Sequence, residues 1–549
     1  MVRQRRLVKA GLVGLAASAL VLTSCSGGGD TTGGDDAPAV DATQGGEAIY
    51  AIDTPLLLLD PNASPAAQDA RVMRQAFDNL VAFDDDRNLV PWLATEWEVS
   101  DDGLEYTFKL RDDVTFWDDT PFNAESVCFN LDRIKDPATG SRYAVSLIGP
   151  YESCSTTDEF TAVVKFSAPY GPFLATLTSP FLGIVSPTAA AAVDPADFGI
   201  APVGSGPYEI VNYTPNDRVE MVANEDYNWP AGNATHEGRA YLDKLTFQIV
   251  PDSTVRLGSL RSGAFQAIGN VPETEASAIE NDATLNFFAK SQSGSPFMLH
   301  MNEDHTPFDD QAVREAIRTG FDVDSAVQAL YLGVYERAWG PLSPTTGSYD
   351  SSVEGSYDFD ADAAAKLLDD AGWKVGSDGI REKDGQKLTI NYIESTPNRE
   401  KRQDIAEFFK ANMKDIGIDV TIKLAQVAEL TQVLQDGDYD MAGLSLVNVD
   451  PNVMYSIYTE ENIPEPGRSA FNFSHVRDAD LKALVTEGQQ LQDGSDRDAA
   501  YSDAQKQVID DAIAIPVYVP TYTMASNGIQ GIRFDAEGYP IWYDVSLTK

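Results

Sequence analysis

Apolar and polar residues alternate through the early part of the globular chain. Leu104, Tyr106, Phe108 and Leu110 take every second position, with Glu105, Thr107 and Lys109 between them. That period of two predicts a strand with one buried face. Trp97 and Val99 precede it across the turn sequence Asp101-Asp102-Gly103, so Asn88 to Trp117 reads as short strands joined by tight turns. The period then changes. Asn123 is the expected cap of a helix that carries Val127, Leu131 and Ile134 on one face. Phe160 to Phe166 returns to alternation.

The later half has a different grammar. Asp362 to Ala371 is a predicted helix stopped by Gly372. Leu388, Ile390 and Tyr392 mark a strand, and Arg399 to Ile416 a helix with Ile405, Phe408, Phe409 and Met413 inward. Ile418, Val420, Ile422 and Leu424 mark a second strand. This is a βαβ unit, which implies a partly parallel sheet. Two halves patterned so differently predict an α/β protein of at least two lobes.

One segment fits neither pattern. Arg3, Arg5, Arg6 and Lys9 precede an apolar run from Gly11 to Leu22, which is shorter than the roughly 18 residues of a spanning helix. The run closes on Leu22-Thr23-Ser24-Cys25, which resembles the lipobox of bacterial lipoproteins. The resemblance implies cleavage before Cys25 and lipid attachment to its sulfur. Residues 1–24 are then a signal peptide and 25–46 a flexible tether, rich in Gly, Thr, Asp and Ala and too poor in bulky apolar residues to fold. No later stretch is apolar enough to span a bilayer, so the body is expected at the extracytoplasmic face of the membrane.

Charge narrows the partners. Against 40 Lys and Arg stand 85 Asp and Glu, a formal net charge of −45, and loss of the basic leader makes it more negative. Nucleic acid and anionic lipid surfaces are poor partners for such a body. The acids are dispersed, as at Asp84 to Asp86 and Asp369-Asp370, and read as a solvated surface. Beyond Cys25 only Cys128 and Cys154 remain. An even pair in an exported chain invites a disulfide, with two buried free thiols as the alternative. His236, His300, His305 and His475 show no metal-ligand spacing, so neither metal nor cofactor is expected. The chain has no His-Glu-x-x-His, no phosphate loop and no Gly-x-Ser-x-Gly elbow. A glycosidase would need a specific carboxylate pair, and with this many acids chance pairs carry no information.

A series of collinear motifs makes the reading specific. They are Phe77 to Val81, Leu89 to Trp97, Tyr106 to Arg111 and Val114 to Val127. Then follow Pro202 to Tyr208, Asn224 to Trp229, Phe308 to Ile317, Ala364 to Trp373 and Met413 to Val420. Together they resemble the family 5 extracellular solute-binding proteins of ABC transporters, the oligopeptide, dipeptide and nickel binders. Trp117-Asp118-Asp119 departs from the family's His-Asp-Gly, within a turn. The resemblance implies a periplasmic-binding-protein-like, type II, two-lobed clamshell of the large class with an extra subdomain. Lobe I is expected at 47–285 and 510–549, with the subdomain at about 81–195, and lobe II at 286–509. The crossings between lobes are expected near Thr274 to Phe297 and near Ala504 to Ile515.

The same resemblance implies a monomer that closes on a solute, most simply a peptide, and presents it to a membrane permease without enzymatic turnover. Its implied ligand-lining residues are Phe297, Met298, Asn302, Trp339, Leu446, Val447, Asn448 and Asp450. Peptide binders place an aspartate four residues before the proline of an Asp/Glu-Pro pair, to hold the peptide ammonium. Here the pair is Asp450-Pro451 and the position is Val447. Dipeptide binders place an arginine near the Pro-Asn ahead of the βαβ helix, where this chain has Ser395-Thr396-Pro397-Asn398. Both charge anchors are missing. An oligosaccharide or other solute held by the same fold, and a signal-receptor lipoprotein, stay open as alternatives.

Overall fold

The computed structural model describes residues 42–548 apart from Ser469. The signal peptide 1–24, Cys25 and nearly all of the tether 25–46 lie outside the described residues. Three sheets organise the rest. A seven-stranded sheet runs in the order Leu285–Ser291, Thr521–Asn527, Ala267–Gly269, Glu47–Ile52, Lys244–Ile249, Arg218–Ala223, Tyr208–Thr214. A five-stranded sheet runs Asp419–Gln426, Thr389–Thr396, Met441–Val447, Gly294–Met301, Ala514–Tyr518. A four-stranded sheet, Ala94–Val99, Glu105–Leu110, Thr161–Phe166 and Tyr151–Asp158, shares its core with the first.

The alternation read from the chain is the burial pattern of these strands. In Glu105–Leu110 the side chains of Tyr106, Phe108 and Leu110 are buried and Lys109 is exposed. The helix Ala124–Lys135 starts where Asn123 caps it, the Asn123 side chain accepting from Ser126 N at 3.1 Å. Cys128 of this helix and Cys154 of the strand Tyr151–Asp158 are joined by a disulfide, with Cα atoms 5.0 Å apart. The predicted βαβ unit is Thr389–Thr396, Arg402–Asp415 and Asp419–Gln426, and its strands pair in parallel with Ile390 opposite Val420 and Tyr392 opposite Ile422.

Two details of that unit differ from expectation. Its helix begins at Arg402, not Arg399, because Glu400 and Lys401 take the left-handed conformation. Asn398 caps from further out, accepting from Gln403 N at 3.0 Å and donating to Asp404 at 2.7 Å. Leu424, one of the alternating apolar positions that mark the second strand, is exposed on the sheet's edge strand, and burial passes to its neighbour Ala425.

The family motifs converge in space. Asp78 accepts from Ser205 Oγ at 2.8 Å, Tyr227 Oη at 3.1 Å and Trp229 Nε1 at 2.9 Å, tying three separate motifs to one carboxylate. Burial pushes this carboxyl up to about 7, with the three donors pulling the other way. Asn79 beside it donates to the carbonyls of Leu177 and Ser179. These motif residues hold the fold.

The chain passes between the two large sheets twice. It leaves the first at Gln292-Ser293 and returns at Val519-Pro520. The two crossings touch, Gln292 N donating to Pro520 O at 2.8 Å. The first lies within the expected stretch, and the second lies beyond Ile515. Phe297 opposite Tyr518 keeps Ala514–Tyr518 within the five-stranded sheet, and Pro520 has no N–H with which to extend the ladder. By sheet membership, residues 285–291 go with the first body and 514–518 with the second, where the expected boundaries lay at 285 and 509.

Candidate functional site

The strand Met441–Val447 runs out of the five-stranded sheet toward the first body, and the residues after it form the seam between the two. Tyr143 Oη donates to the carbonyl of Val447. Arg87 donates to Val449 O at 2.8 Å and to Thr345 O at 3.0 Å. Asn448 N donates to Ser293 O of the first crossing at 3.1 Å. Further along the seam, Gly171 N donates to Gln489 O at 2.9 Å, and Lys401 pairs with Glu273 at 2.7 Å. The seam loop thus offers backbone carbonyls, and donors from the opposite body already reach for them.

The implied ligand residues are divided by this arrangement. Val447 and Asn448 lie on the seam, and Leu446 is paired opposite Ser295 within the sheet. Asp450 is turned inward. Its Oδ1 accepts from Arg497 at 2.7 Å and from Asn452 N at 2.8 Å, with both charged side chains almost fully buried. Phe297 and Met298 fill opposite faces of a strand buried on both sides. Phe297 stacks on Tyr518 at 4.9 Å, and Met298 packs with Leu444 and Tyr458. Asn302 is buried and donates to Tyr439 O at 3.0 Å. Trp339 has the Arg337 guanidinium 3.6 Å over its ring, so that face is covered from within the chain. Each histidine has its own partner: Asp544, Ser474, Asp440 and Asp304 for His236, His300, His305 and His475.

A cavity of about 60 Å³ opens beside the seam, with Val449 as its wall on the side of the five-stranded body. The other walls include Phe83, Trp92 and Tyr227 and the charged residues Arg74, Arg533, Asp535, Glu537 and Asp544. Asp535 pairs with Arg74 at 2.8 Å, and Asp544 with Arg533 at 2.9 Å. Glu537 is only 2% exposed, and its Oε2 has no hydrogen-bond partner. Its hairpin tip also braces the first crossing, since Ser293 Oγ donates to Ala536 O at 2.9 Å.

Tyr143, Arg87, Val449 and Glu537 were not readable as site residues. Asp84 to Arg87 and Asp535 to Gly538 look like ordinary acidic turns, and nothing local says that each lands against the other body. The one weak sign was the strand-ending Val447, where an aspartate was due.

Two sheet-based bodies, joined by two touching crossings and meeting across a seam of backbone acceptors, define a solute-binding clamshell. The comparisons with known proteins agree. The chain belongs to the bacterial extracellular solute-binding proteins, family 5, whose sequence profile matches residues 88–463. It is similar to a probable di/tripeptide-binding protein of Pseudomonas aeruginosa, with 28% identity over 86% of this chain and 90% of that one. It is also similar to heme-binding protein A of Haemophilus influenzae, with 27% identity over 97% and 98% of the two chains. Its fold matches the oligopeptide-binding protein AppA of Bacillus subtilis solved with a nonapeptide, with a TM-score of 0.79, 23% identity and coverage of 93% and 100%. The architecture is accordingly the type II periplasmic-binding-protein clamshell.

Proposed function

We propose that this chain captures peptides for an ABC import system, as a monomer held to the outer face of the cell membrane by lipid on Cys25. The lobes that rotate would be residues 47–291 with 521–548, and residues 294–518, turning about the paired crossings. A solute that touches both lobes stabilises the closed form, and the permease reads that form. Relatives named for peptides support the solute class. A tether of about twenty residues would hold the capture event at high local concentration beside the permease.

The observation that carries this reading is the seam loop. It supplies the carbonyls of Val447 and Val449, while its one carboxylate, Asp450, is spent on Arg497. An extended peptide backbone pairs with such acceptors through its own N–H groups and needs no charged terminus. Calorimetry of the intact protein with Ala-Phe-Ala and with its N-acetyl, C-amide form tests this. The two forms are expected to bind within about threefold of each other. A tenfold or greater loss on blocking would overturn the absence of a terminal clamp. Binding of an oligosaccharide panel with no binding of either peptide would move the function to a non-peptide solute.

A further inference from the structure

The charges around the cavity do not balance. Arg74 is fully engaged, by Asp535, by Asn79 Oδ1 at 2.8 Å and by the carbonyl of Thr178 at 2.6 Å. Arg533 is engaged by Asp544, whose other oxygen accepts from Thr235 and meets His236. Asp535 also accepts from the backbone N–H groups of Glu537 at 3.0 Å and Tyr539 at 2.8 Å. That leaves the Glu537 carboxyl as the lining acid without an ion pair among the described residues and with its Oε2 lacking a hydrogen-bond partner, in a position where burying an unpaired polar group is costly. Native structures keep such a group rarely, and where they do it calls for a specific reason.

The size of the space says what could meet it. About 60 Å³ holds roughly four water molecules, far below the several hundred Å³ of a whole-ligand pocket. It suits the end of a side chain. The walls suit a cation: Trp92, Tyr227 and Phe83 present aromatic surface, and Glu537 supplies the charge. The cavity borders the seam through Val449, so a solute lying along the seam loop could send a side chain into it.

Resting on the peptide-capture reading above, we infer that this cavity is a side-chain subsite in which the Glu537 carboxylate receives a primary ammonium or guanidinium group of the bound solute. The site explains the isolated carboxyl as one half of an ion pair whose other half arrives with the ligand. Because the hairpin tip of Glu537 hydrogen-bonds to the first crossing, a filled subsite also stiffens the segment about which the lobes turn.

Protonation adds a signature. In the empty cavity, burial first and then Asp535 push the Glu537 carboxyl up to about 8, with Arg74 and Ser179 acting in the opposite sense. The other ionisable groups facing it are the Tyr143 and Tyr539 hydroxyls, whose own ionisation is pushed well above their usual range, first by burial and then by Glu537. At neutral pH the empty acid carries its proton. Pairing with a cation requires the carboxylate, so binding expels that proton to buffer.

The test uses the intact protein and two blocked tripeptides, N-acetyl-Ala-Lys-Ala-amide and its norleucine counterpart, so that the side chain bears the one charge. The wild type is expected to prefer the lysine peptide at least tenfold at pH 8. That preference should shrink by up to about tenfold per pH unit below 8, with proton release seen in buffers of different ionisation enthalpy. Glu537→Gln should bind both peptides equally. A preference that survives in Glu537→Gln, or a wild type indifferent to the charge, overturns the subsite. If neither peptide binds, the peptide reading fails, and thermal shift with n-butylammonium chloride against n-butanol decides the subsite alone. Stabilisation by the ammonium salt in the wild type and its loss in Glu537→Gln supports it, and equal behaviour of the two proteins sinks it.

Discussion

Asp450 and Glu537 are both buried carboxyls close to the seam, one from each body, and their surroundings treat them in opposite ways. Asp450 has Arg497 at 2.7 Å and a backbone donor at 2.8 Å. Glu537 has no ion pair among the described residues, and its Oε2 has no hydrogen-bond partner. A buried charge with its own partner is part of the framework, and a ligand gains little from it because its pairing is already complete. A buried acid without a partner is costly to the empty protein and worth most to a ligand that completes it. Asp450 is spent within the framework, and Glu537, in the C-terminal hairpin, is the one left without an ion pair among the described residues.

The largest effect is expected at the satisfied pair. Arg497→Met leaves Asp450 buried and alone and should cost about 3–5 kcal/mol in urea denaturation. Combining it with Asp450→Asn should recover part of that loss. A single substitution that costs under about 1 kcal/mol would show that the pair is not the brace described here.

Next comes the stability of Glu537→Gln without ligand. The folded-state acid is raised above its unfolded value, so its contribution is fully present below about 4.5 and is lost as pH rises through about 8. The glutamine does not ionise. Its stability relative to wild type should therefore climb between pH 5 and pH 8, by on the order of 1 kcal/mol or more, and level off above. A difference that stays flat across that range would mean Glu537 has a partner when empty, and the contrast with Asp450 would dissolve.

The smallest effect is at the seam itself. Tyr143→Phe removes one donor to Val447 O and should weaken solute binding or closure by about 0.5–1.5 kcal/mol, with unfolding nearly unchanged. Affinity and small-angle scattering with and without solute would read this. A matching loss of global stability would make Tyr143 a packing residue and not a latch.

Much of the local structure was legible because it rests on near neighbours in the chain. The strand around Tyr106 and Phe108, the Asn123 cap and the βαβ unit all follow from periods of two or 3.6 and from cap chemistry. The misread details are those where a neighbour distant in sequence intervenes. Leu424 loses its cover because its strand lies at the sheet edge, and the helix at Arg402 starts late behind two left-handed residues. Trp339, expected to line the ligand, has the Arg337 guanidinium stacked on its ring. Among the residues expected to meet ligand, Val447 and Asn448 came to the seam. Phe297, Met298 and Asn302 went to the core because their strand is covered on both faces.

By itself the sequence determined the class of this protein. An acidic, two-lobed solute-binding body follows from a charge of −45 and motifs in a fixed order. It also showed that Val447 stands where a charge anchor would be. Which carboxyl stays unpaired was decided only by the tertiary structure. Pairing depends on contacts such as Asp450 with Arg497 and Asp535 with Arg74, between residues far apart in the chain, and the cost of a buried charge exists only once folding has removed the water.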